Sequence, residues 1–136
     1  MKFCLTLLFT LHCVPALAQT EPADSPFICS ANTAVREMTK ACGARWPAMT
    51  VRAEAAYASW YRRNKLASKA RAQLCDANMT KSAKSPAQLE RARQTMNAQI
   101  KAAHAQLVAR AAKHPESLCI QTLEQVEQAD GPYEVR

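Results

Sequence analysis

Residues 25–43 read SPFICSANTAVREMTKACG, and this stretch decides the fold because it combines a helix signature with two cysteines. Ser25 followed by Pro26 is typical of a helix start, with serine as the N-cap and proline at the first helical position. One apolar stripe then follows at spacings of three and four residues, and Gly43 is the expected stop. The stripe consists of Ile28, Ala31, Val35, Met38 and Cys42. On such a helix Cys29 and Cys42 lie about 20 Å apart, too far for them to bond to each other.

Two more apolar stripes predict a second and a third helix. The second helix covers about 48–75, and Arg63 and Asn64 are the weakest point of its apolar face. Ser85, Pro86 and Gln88 predict the start of the third helix, as N-cap, first helical residue and capping-box glutamine. The stripes consist of Met49, Ala53, Ala56, Trp60, Ala67, Ala70 and Leu74, and of Leu89, Ala92, Met96, Ile100, Ala103 and Leu107.

A short fourth helix is expected after Pro115, which ends the third. Its inward residues are Cys119, Leu123 and Val126. The chain contains two glycines and much alanine, a composition that favours helix over sheet. Because short connections favour antiparallel neighbours, the sequence predicts an all-α fold, a small up-down helical bundle of about four helices.

The first 18 residues have the features of a cleavable signal peptide. Lys2 gives a positive start, residues 3–14 are apolar but too short to span a bilayer, and Ala16-Leu17-Ala18 is a typical cleavage site. We therefore expect a protein exported to the periplasm or secreted, without a transmembrane segment after cleavage. Residues 19–136 are expected to form a single helical domain, with loose ends at about 19–25 and 131–136.

Four cysteines remain after cleavage, an even number that implies two disulfides in an oxidising compartment. A metal site is the alternative, but the sequence contains no C-x-x-C knuckle. In an up-down bundle Cys42 and Cys119 lie at one pole, and Cys29 and Cys75 lie toward the other. The topology therefore predicts the pairs Cys42–Cys119 and Cys29–Cys75. The long second helix creates a length mismatch, which requires either a bend near Asn64 or an extended segment around Cys29.

Basic residues are concentrated in the middle of the chain. Residues 44–113 contain fourteen lysines and arginines against three acidic residues, whereas residues 114–136 contain five acidic residues. Arg62, Lys65 and Lys69 share one face of the second helix, and Tyr57 and Tyr61 form an aromatic pair beside them. Tyrosine with arginine is a frequent interface anchor, so these five residues are the candidate partner-binding site. An acidic protein surface is the expected partner; anionic lipid, wall polymer or an unused solvated face are the alternatives.

The sequence contains no motif of catalysis or cofactor binding. His104 and His114 are ten residues apart, which is wrong for a shared helical metal face, and His104 is expected to be an ordinary surface residue. We therefore expect no enzyme activity, no cofactor and no metal. Trp60 is expected in the core, and export makes nucleic acid a poor partner.

The segment from Cys29 to Cys42, followed by Ala56-Tyr57, resembles the N-terminal part of LprI-type lysozyme inhibitors. Those small exported bacterial proteins carry two cysteines about a helix apart and then an Asp-x-x-Leu-Asn-x-x-Tyr segment. Here Arg52-Ala53-Glu54-Ala55-Ala56-Tyr57 stands in that place, so no inhibitory contact can be transferred. The resemblance covers about 30 residues and implies an inhibitor or a small helical periplasmic immunity protein.

These features together predict an exported, non-enzymatic binding protein that neutralises a cell-wall-degrading enzyme or a toxin. The alternative is a helical envelope chaperone or stress protein whose amphipathic helices bind unfolded clients. A small structural protein of the wall or membrane is a third interpretation. The sequence assigns no oligomeric state.

Overall fold

A computed structural model describes residues 25–136; the predicted signal peptide lies outside these residues. The described part is all-α and contains α1 (Pro26–Cys29), α2 (Ala31–Arg45), a 3₁₀ turn (Pro47–Met49), α3 (Thr50–Ser82), α4 (Pro86–Ala111) and α5 (Glu116–Glu127). Between residues 25 and 136, no helix is long and apolar enough to cross a membrane. The predicted all-α fold is confirmed, with five helices because the first predicted helix is divided.

Helix starts agree with the residues that the sequence indicated. The Ser25 hydroxyl accepts a hydrogen bond from the amide of Ile28 (3.2 Å), and Ser85 caps α4 by accepting from the amide of Gln88 (3.2 Å). The Gln88 side chain in turn accepts from the amide of Lys84 (2.7 Å). These bonds satisfy amides that have no partner within the helix, and they fix where each helix begins.

The first predicted helix differs from the expectation at two positions. It breaks at Ser30, whose φ of −133° and ψ of 26° separate the single turn of α1 from α2. It also continues past Gly43, the expected stop, to Arg45. Gly43 is buried where α2 approaches α3, and a Cβ atom there would lie 3.2 Å from the Cα of Thr50. This glycine therefore permits close helix packing instead of ending the helix.

Helix α3 is longer than predicted and uses a different buried face in its second half. It runs without a break through Asn64 to Ser82 and is about 50 Å long. Ala70 and Leu74, expected to face inward, are exposed, whereas Asn64 and Ser68 are buried. The Asn64 amide satisfies its burial by donating to the carbonyl of Trp60 (3.0 Å) and accepting from the amide of Val135 (2.9 Å). The buried residues of α3 therefore continue at helical spacing after Trp60, but two of them, Asn64 and Ser68, are polar.

The core lies between α2, α3 and α5. Trp60 is fully buried, as predicted, and packs with the inward residues of α5. The fully buried apolar residues of this core include Val35, Cys42, Trp60, Cys119, Leu123 and Val126. Helix α4 contributes less, since every residue of its predicted stripe from Leu89 to Leu107 is only half-buried and Ala111 is its one buried residue.

Both predicted disulfides are confirmed. Cys29 bonds to Cys75 with their Cα atoms 6.0 Å apart, and Cys42 bonds to Cys119 with their Cα atoms 5.7 Å apart. The expected extended segment around Cys29 is absent, because Cys29 lies in the helical turn of α1, and α3 continues beyond Cys75 by seven residues. A disulfide of this kind stabilises a fold by about 2–4 kcal/mol, which matters where alanine supplies much of the core.

The chain end, expected to be loose, contacts α3 at several points. The Trp60 indole donates to the carbonyl of Tyr133 (2.7 Å), and Asn64 accepts from the amide of Val135. Arg63 binds the carboxylate of Glu134 (2.8 Å). These contacts close one side of α3 and leave another side to solvent.

Candidate functional site

Five basic residues of α3 fall into two groups with different surroundings. The first group faces the acidic C-terminal segment. Arg52 binds Glu127 (3.1 Å) and approaches Glu124 (3.8 Å), and Arg63 binds Glu134 (2.8 Å) and the carbonyl of Val126 (2.8 Å). Hydrogen bonding to Glu127 raises the pKa of Arg52. Some of the basic residues in the middle of the chain therefore form ion pairs with the acidic C-terminal segment of the same protein.

The second group consists of Arg62, Lys65 and Lys69, which are all exposed. Within residues 25–136, none of the three forms an ion pair. Their spacing of three and four residues places them on one face, and that face is turned away from α5 and the chain end. The three cations predicted from the sequence as a binding face are thus not neutralised by any acidic residue in the described part of the chain.

The two predicted interface tyrosines stack on each other beside these cations. The rings of Tyr57 and Tyr61 are 5.9 Å apart at 30°, and Tyr57 also stacks on Trp60 at 6.4 Å. Tyr57 is half-buried, and its hydroxyl donates to the side-chain oxygen of Asn32 (2.8 Å). Burial raises the pKa of Tyr57. Tyr61 is 41% exposed, so only one ring of the pair is openly presented.

A groove of about 370 Å³ lies beside Tyr61, between α3 and the start of α2. Tyr61, Lys65 and Lys69 line it from α3, together with Ser68. The residues that line it from α1 and α2 are Cys29, Ser30, Ala31, Asn32 and Thr33. We call this the basic groove. It includes two lysines and no acidic residue, so its electrostatic potential favours an anion.

The five predicted site residues are therefore not all in one place. Tyr61, Lys65 and Lys69 share the basic groove, whereas Arg62 does not line it. Tyr57 lines a separate groove of about 400 Å³ between α2 and α3, next to Arg36 and Glu54. Residue spacing along one helix predicted residues on the α3 side of the basic groove, but it could not predict that residues 29–33 form the other side.

Four polar residues of the groove were missed by sequence reasoning: Ser30, Asn32, Thr33 and Ser68. Asn32 and Thr33 lie in the first turn of α2, where backbone amides point out of the helix, and Ser30 directly precedes that turn. The break at Ser30, which creates that turn, had no recognisable signal in the sequence. Ser68 was missed because a serine on an alanine-rich helix is usually at the surface, whereas here it is 8% exposed.

His104, expected at the surface, is half-buried instead, and its Nε2 lies 2.9 Å from the hydroxyl of Ser30. Burial lowers the pKa of His104, although the charge of Glu37 acts in the opposite direction. The Ser30 hydroxyl also donates to the carbonyl of Pro26 and makes no capping bond to α2. This contact links α4 to the break between α1 and α2.

One group of potential metal-ligating side chains occurs among residues 25–136. The sulfurs of Cys42 and Cys119 and a ring nitrogen of His114 lie within 4.8 Å of one another. The two sulfurs are bonded to each other, so neither is a thiolate, the form of cysteine that binds metals. His114 is half-buried, and its Nδ1 is buried without a hydrogen-bond partner among the described residues.

Comparison with known proteins gives no assignment: no family model matches the chain, and no curated protein or solved structure shows significant similarity to it. The functional argument therefore depends on the residues themselves.

Proposed function

We propose that this chain is an exported, non-enzymatic binding protein that neutralises a cell-wall-degrading enzyme or a toxin. The observation that carries the proposal is that Arg62, Lys65 and Lys69 form no ion pair within residues 25–136, whereas Arg52 and Arg63 on the same helix bind glutamates. A binding face is expected to keep its charges available in this way. Its partner would present an acidic surface, because complementary charge speeds association and selects among partners.

The tyrosines support an interface at the same place. From Tyr57 to Lys69 the face extends about 18 Å along α3, a length suited to the centre of a protein interface. Tyr61 is exposed but held by stacking on Tyr57, so it would lose little side-chain freedom on binding. Rigid tyrosines beside basic side chains are typical of the residues that dominate binding energy.

Two disulfides and a packed core are suited to a protein that binds its partner through a rigid surface. A neutralising protein must hold its binding surface in one conformation outside the cell, and crosslinks from α1 to α3 and from α2 to α5 serve that purpose. The resemblance of residues 29–42 to LprI-type inhibitors points to the same class of function.

The test is affinity capture from cell-envelope extract, comparing the protein with its Arg62→Glu/Lys65→Glu variant. The matched control is Lys81→Glu/Lys84→Glu, which makes the same change of charge at exposed positions near the far end of α3. We expect one saturable partner that is lost with the first variant and retained with the second. The purified partner should lose its lytic or toxic activity when the protein is added. Retention of the partner by Arg62→Glu/Lys65→Glu would contradict the proposal.

A second candidate, an envelope chaperone, is favoured by a different surface. A groove of about 230 Å³ lies between the C-terminal part of α3 and the N-terminal part of α4, and its lining includes Met79, Ala92 and Met96. Methionine adapts to varied apolar surfaces and is common where proteins bind many clients. If the protein is a chaperone, it should suppress the aggregation of reduced, unfolded model proteins, and Met79→Gln/Met96→Gln should abolish that effect while the charge variants retain it.

A further inference from the structure

The floor of the basic groove contains a polar side chain without a partner. Ser68 is 8% exposed, and its hydroxyl is buried with no hydrogen-bond partner among the described residues. A serine within a helix ordinarily bonds to a carbonyl one turn earlier, as Thr39, Thr80 and Thr122 do here. Leaving a buried hydroxyl unpaired is unfavourable for stability, so an unpaired one calls for an explanation. A ligand that accepts a hydrogen bond in the groove would provide it.

The wall of the groove that the start of α2 forms, across from α3, presents hydrogen-bond donors. The first bond between turns of α2 runs from the amide of Ala34 to the carbonyl of Ser30, so the amides of Ala31, Asn32 and Thr33 precede it. Ser30 makes no capping bond, and no acidic residue occupies the first turn of α2. The positive end of the helix dipole is therefore uncompensated where it meets the groove.

Two lysines complete the set of donors. Lys65 and Lys69 line the groove one turn apart on α3, and Ser68 lies between them in sequence. Neither lysine forms an ion pair in the described part of the chain. A hydroxyl, a helix N-terminus and two ammonium groups thus converge on one space of about 370 Å³. All of them favour an acceptor that carries negative charge.

We infer that the basic groove is a carboxylate-binding site that receives an acidic side chain of the partner. A carboxylate has two acceptor oxygens and no donor, which matches the two ammonium groups, the amides at the start of α2 and the Ser68 hydroxyl. The groove opens on the side of the bundle beside Tyr61, so a glutamate on a folded surface can enter it without a free chain end. This inference deepens the proposed function and rests on it for the identity of the partner, while the site itself can be tested without any partner.

The probe is a blocked tripeptide, acetyl-alanyl-glutamyl-alanine amide, titrated into the ¹⁵N-labelled protein. The backbone amide signals of Asn32 and Thr33 should shift and saturate. The same peptide with glutamine in place of glutamate should bind at least about tenfold more weakly, because it lacks the charge that strengthens hydrogen bonds. Absence of shifts at Asn32 and Thr33 would overturn the inference. Binding of only a peptide with a free C-terminal carboxylate would overturn the assignment to a side chain.

Variants separate a site from general attraction to a basic protein. Lys65→Gln/Lys69→Gln should weaken binding of the glutamate peptide at least about tenfold. Lys81→Gln/Lys84→Gln removes the same charge elsewhere and should leave the affinity unchanged; an equal loss from both pairs would show non-specific attraction and overturn the site.

Ser68→Ala distinguishes a binding role from a structural one. The substitution removes the unpaired hydroxyl and improves helix propensity, so the melting temperature should stay the same or rise while peptide affinity falls. A fall in melting temperature with unchanged affinity would mean that Ser68 serves the fold and would overturn its role in binding.

The two proposals fail in distinguishable ways. If the peptide binds as described but no envelope protein is captured, the carboxylate site stands and the proposed partner class falls. If a partner is captured and neutralised but the peptide causes no shifts, the binding function stands and the carboxylate site is wrong.

Discussion

The indole nitrogen of Trp60 donates a 2.7 Å hydrogen bond to the carbonyl oxygen of Tyr133, and so ties the chain end to the most deeply buried side chain of α3. The bond lies beside the contacts of Arg63 with Glu134 and of Asn64 with Val135. These contacts cover the α3 side opposite the unpaired cations. One side of the helix is therefore used for folding, and the other remains available.

Replacing Trp60 should be among the most damaging single changes in the protein. Trp60→Ala removes a fully buried ring and the donor to Tyr133, and we expect a loss of about 3–5 kcal/mol in the free energy of unfolding. Urea denaturation followed by circular dichroism measures this. Val51→Ala, at a residue 79% exposed, is the control and should change stability by less than about 0.5 kcal/mol. Equal effects would show that Trp60 is not central to the core.

Arg62 and Arg63 are neighbours in sequence with opposite expected roles. Arg63→Met should lower the free energy of unfolding by about 1 kcal/mol, since it removes bonds to Glu134 and to the carbonyl of Val126. Arg62→Met should leave stability unchanged, because Arg62 forms no ion pair within residues 25–136. Denaturant titration of both variants tests this difference. If Arg62→Met proves the more destabilising, the division of α3 into two sides is wrong.

The two disulfides should differ in how easily they are reduced in the folded protein. Cys42 and Cys119 are fully buried, whereas Cys29 is 9% and Cys75 4% exposed. Reduction requires a thiolate to reach a sulfur, so mild dithiothreitol should open Cys29–Cys75 first. Alkylation and peptide mapping at intervals would give the order, and earlier labelling of Cys42 and Cys119 would contradict it.

Loss of either disulfide should lower stability without changing the fold. We expect Cys29→Ala/Cys75→Ala and Cys42→Ala/Cys119→Ala each to lower the free energy of unfolding by about 2–4 kcal/mol. Thermal and urea denaturation under non-reducing conditions would measure these losses. A double variant as stable as the parent would show that its bond does not stabilise the folded protein.

His104 should make stability depend on pH in mildly acidic solution. Burial lowers the pKa of His104 in the folded state below its ordinary value of 6.5, so the unfolded chain binds the proton first. Stability should then be constant above pH 6.5, fall as the pH drops toward the folded-state pKa, and level off below it. Urea titrations between pH 4.5 and 7.5 cover this range. This range lies above pH 3.8, the ordinary pKa of an aspartate, so it excludes the acidic solution in which Asp76, whose pKa is lowered by its hydrogen bond to Arg93, loses its contribution.

Two variants test whether His104 causes this dependence. His104→Gln should abolish the fall between pH 6.5 and the folded-state pKa. Glu37→Gln should move the fall to lower pH, because the charge of Glu37 favours protonation of His104. An unchanged pH profile in His104→Gln would assign the dependence to another group.

Much of the fold could be predicted because its determinants are local. The caps at Ser25 and Ser85 and the inward face of α5 follow from interactions within a turn or two of helix, which a sequence displays directly. The disulfide pairing followed from helix order alone, since antiparallel neighbours bring only certain ends together. The course of α3 beyond Trp60 was less predictable. Its buried face includes Asn64, whose partner Val135 lies 71 residues away in sequence.

By itself the sequence determined the helical class, the two crosslinks and the α3 face that carries Arg62, Lys65 and Lys69. These properties depend on residue spacing along one helix, or on the order of helices along the chain. The tertiary structure alone decided which cations are neutralised, and it placed the first turn of α2 opposite Lys65 and Lys69. Hydrogen bonds and charge pairs act over a few ångströms, so their partners are set by packing between segments distant in sequence. The basic groove and the unpaired hydroxyl of Ser68 are products of that packing.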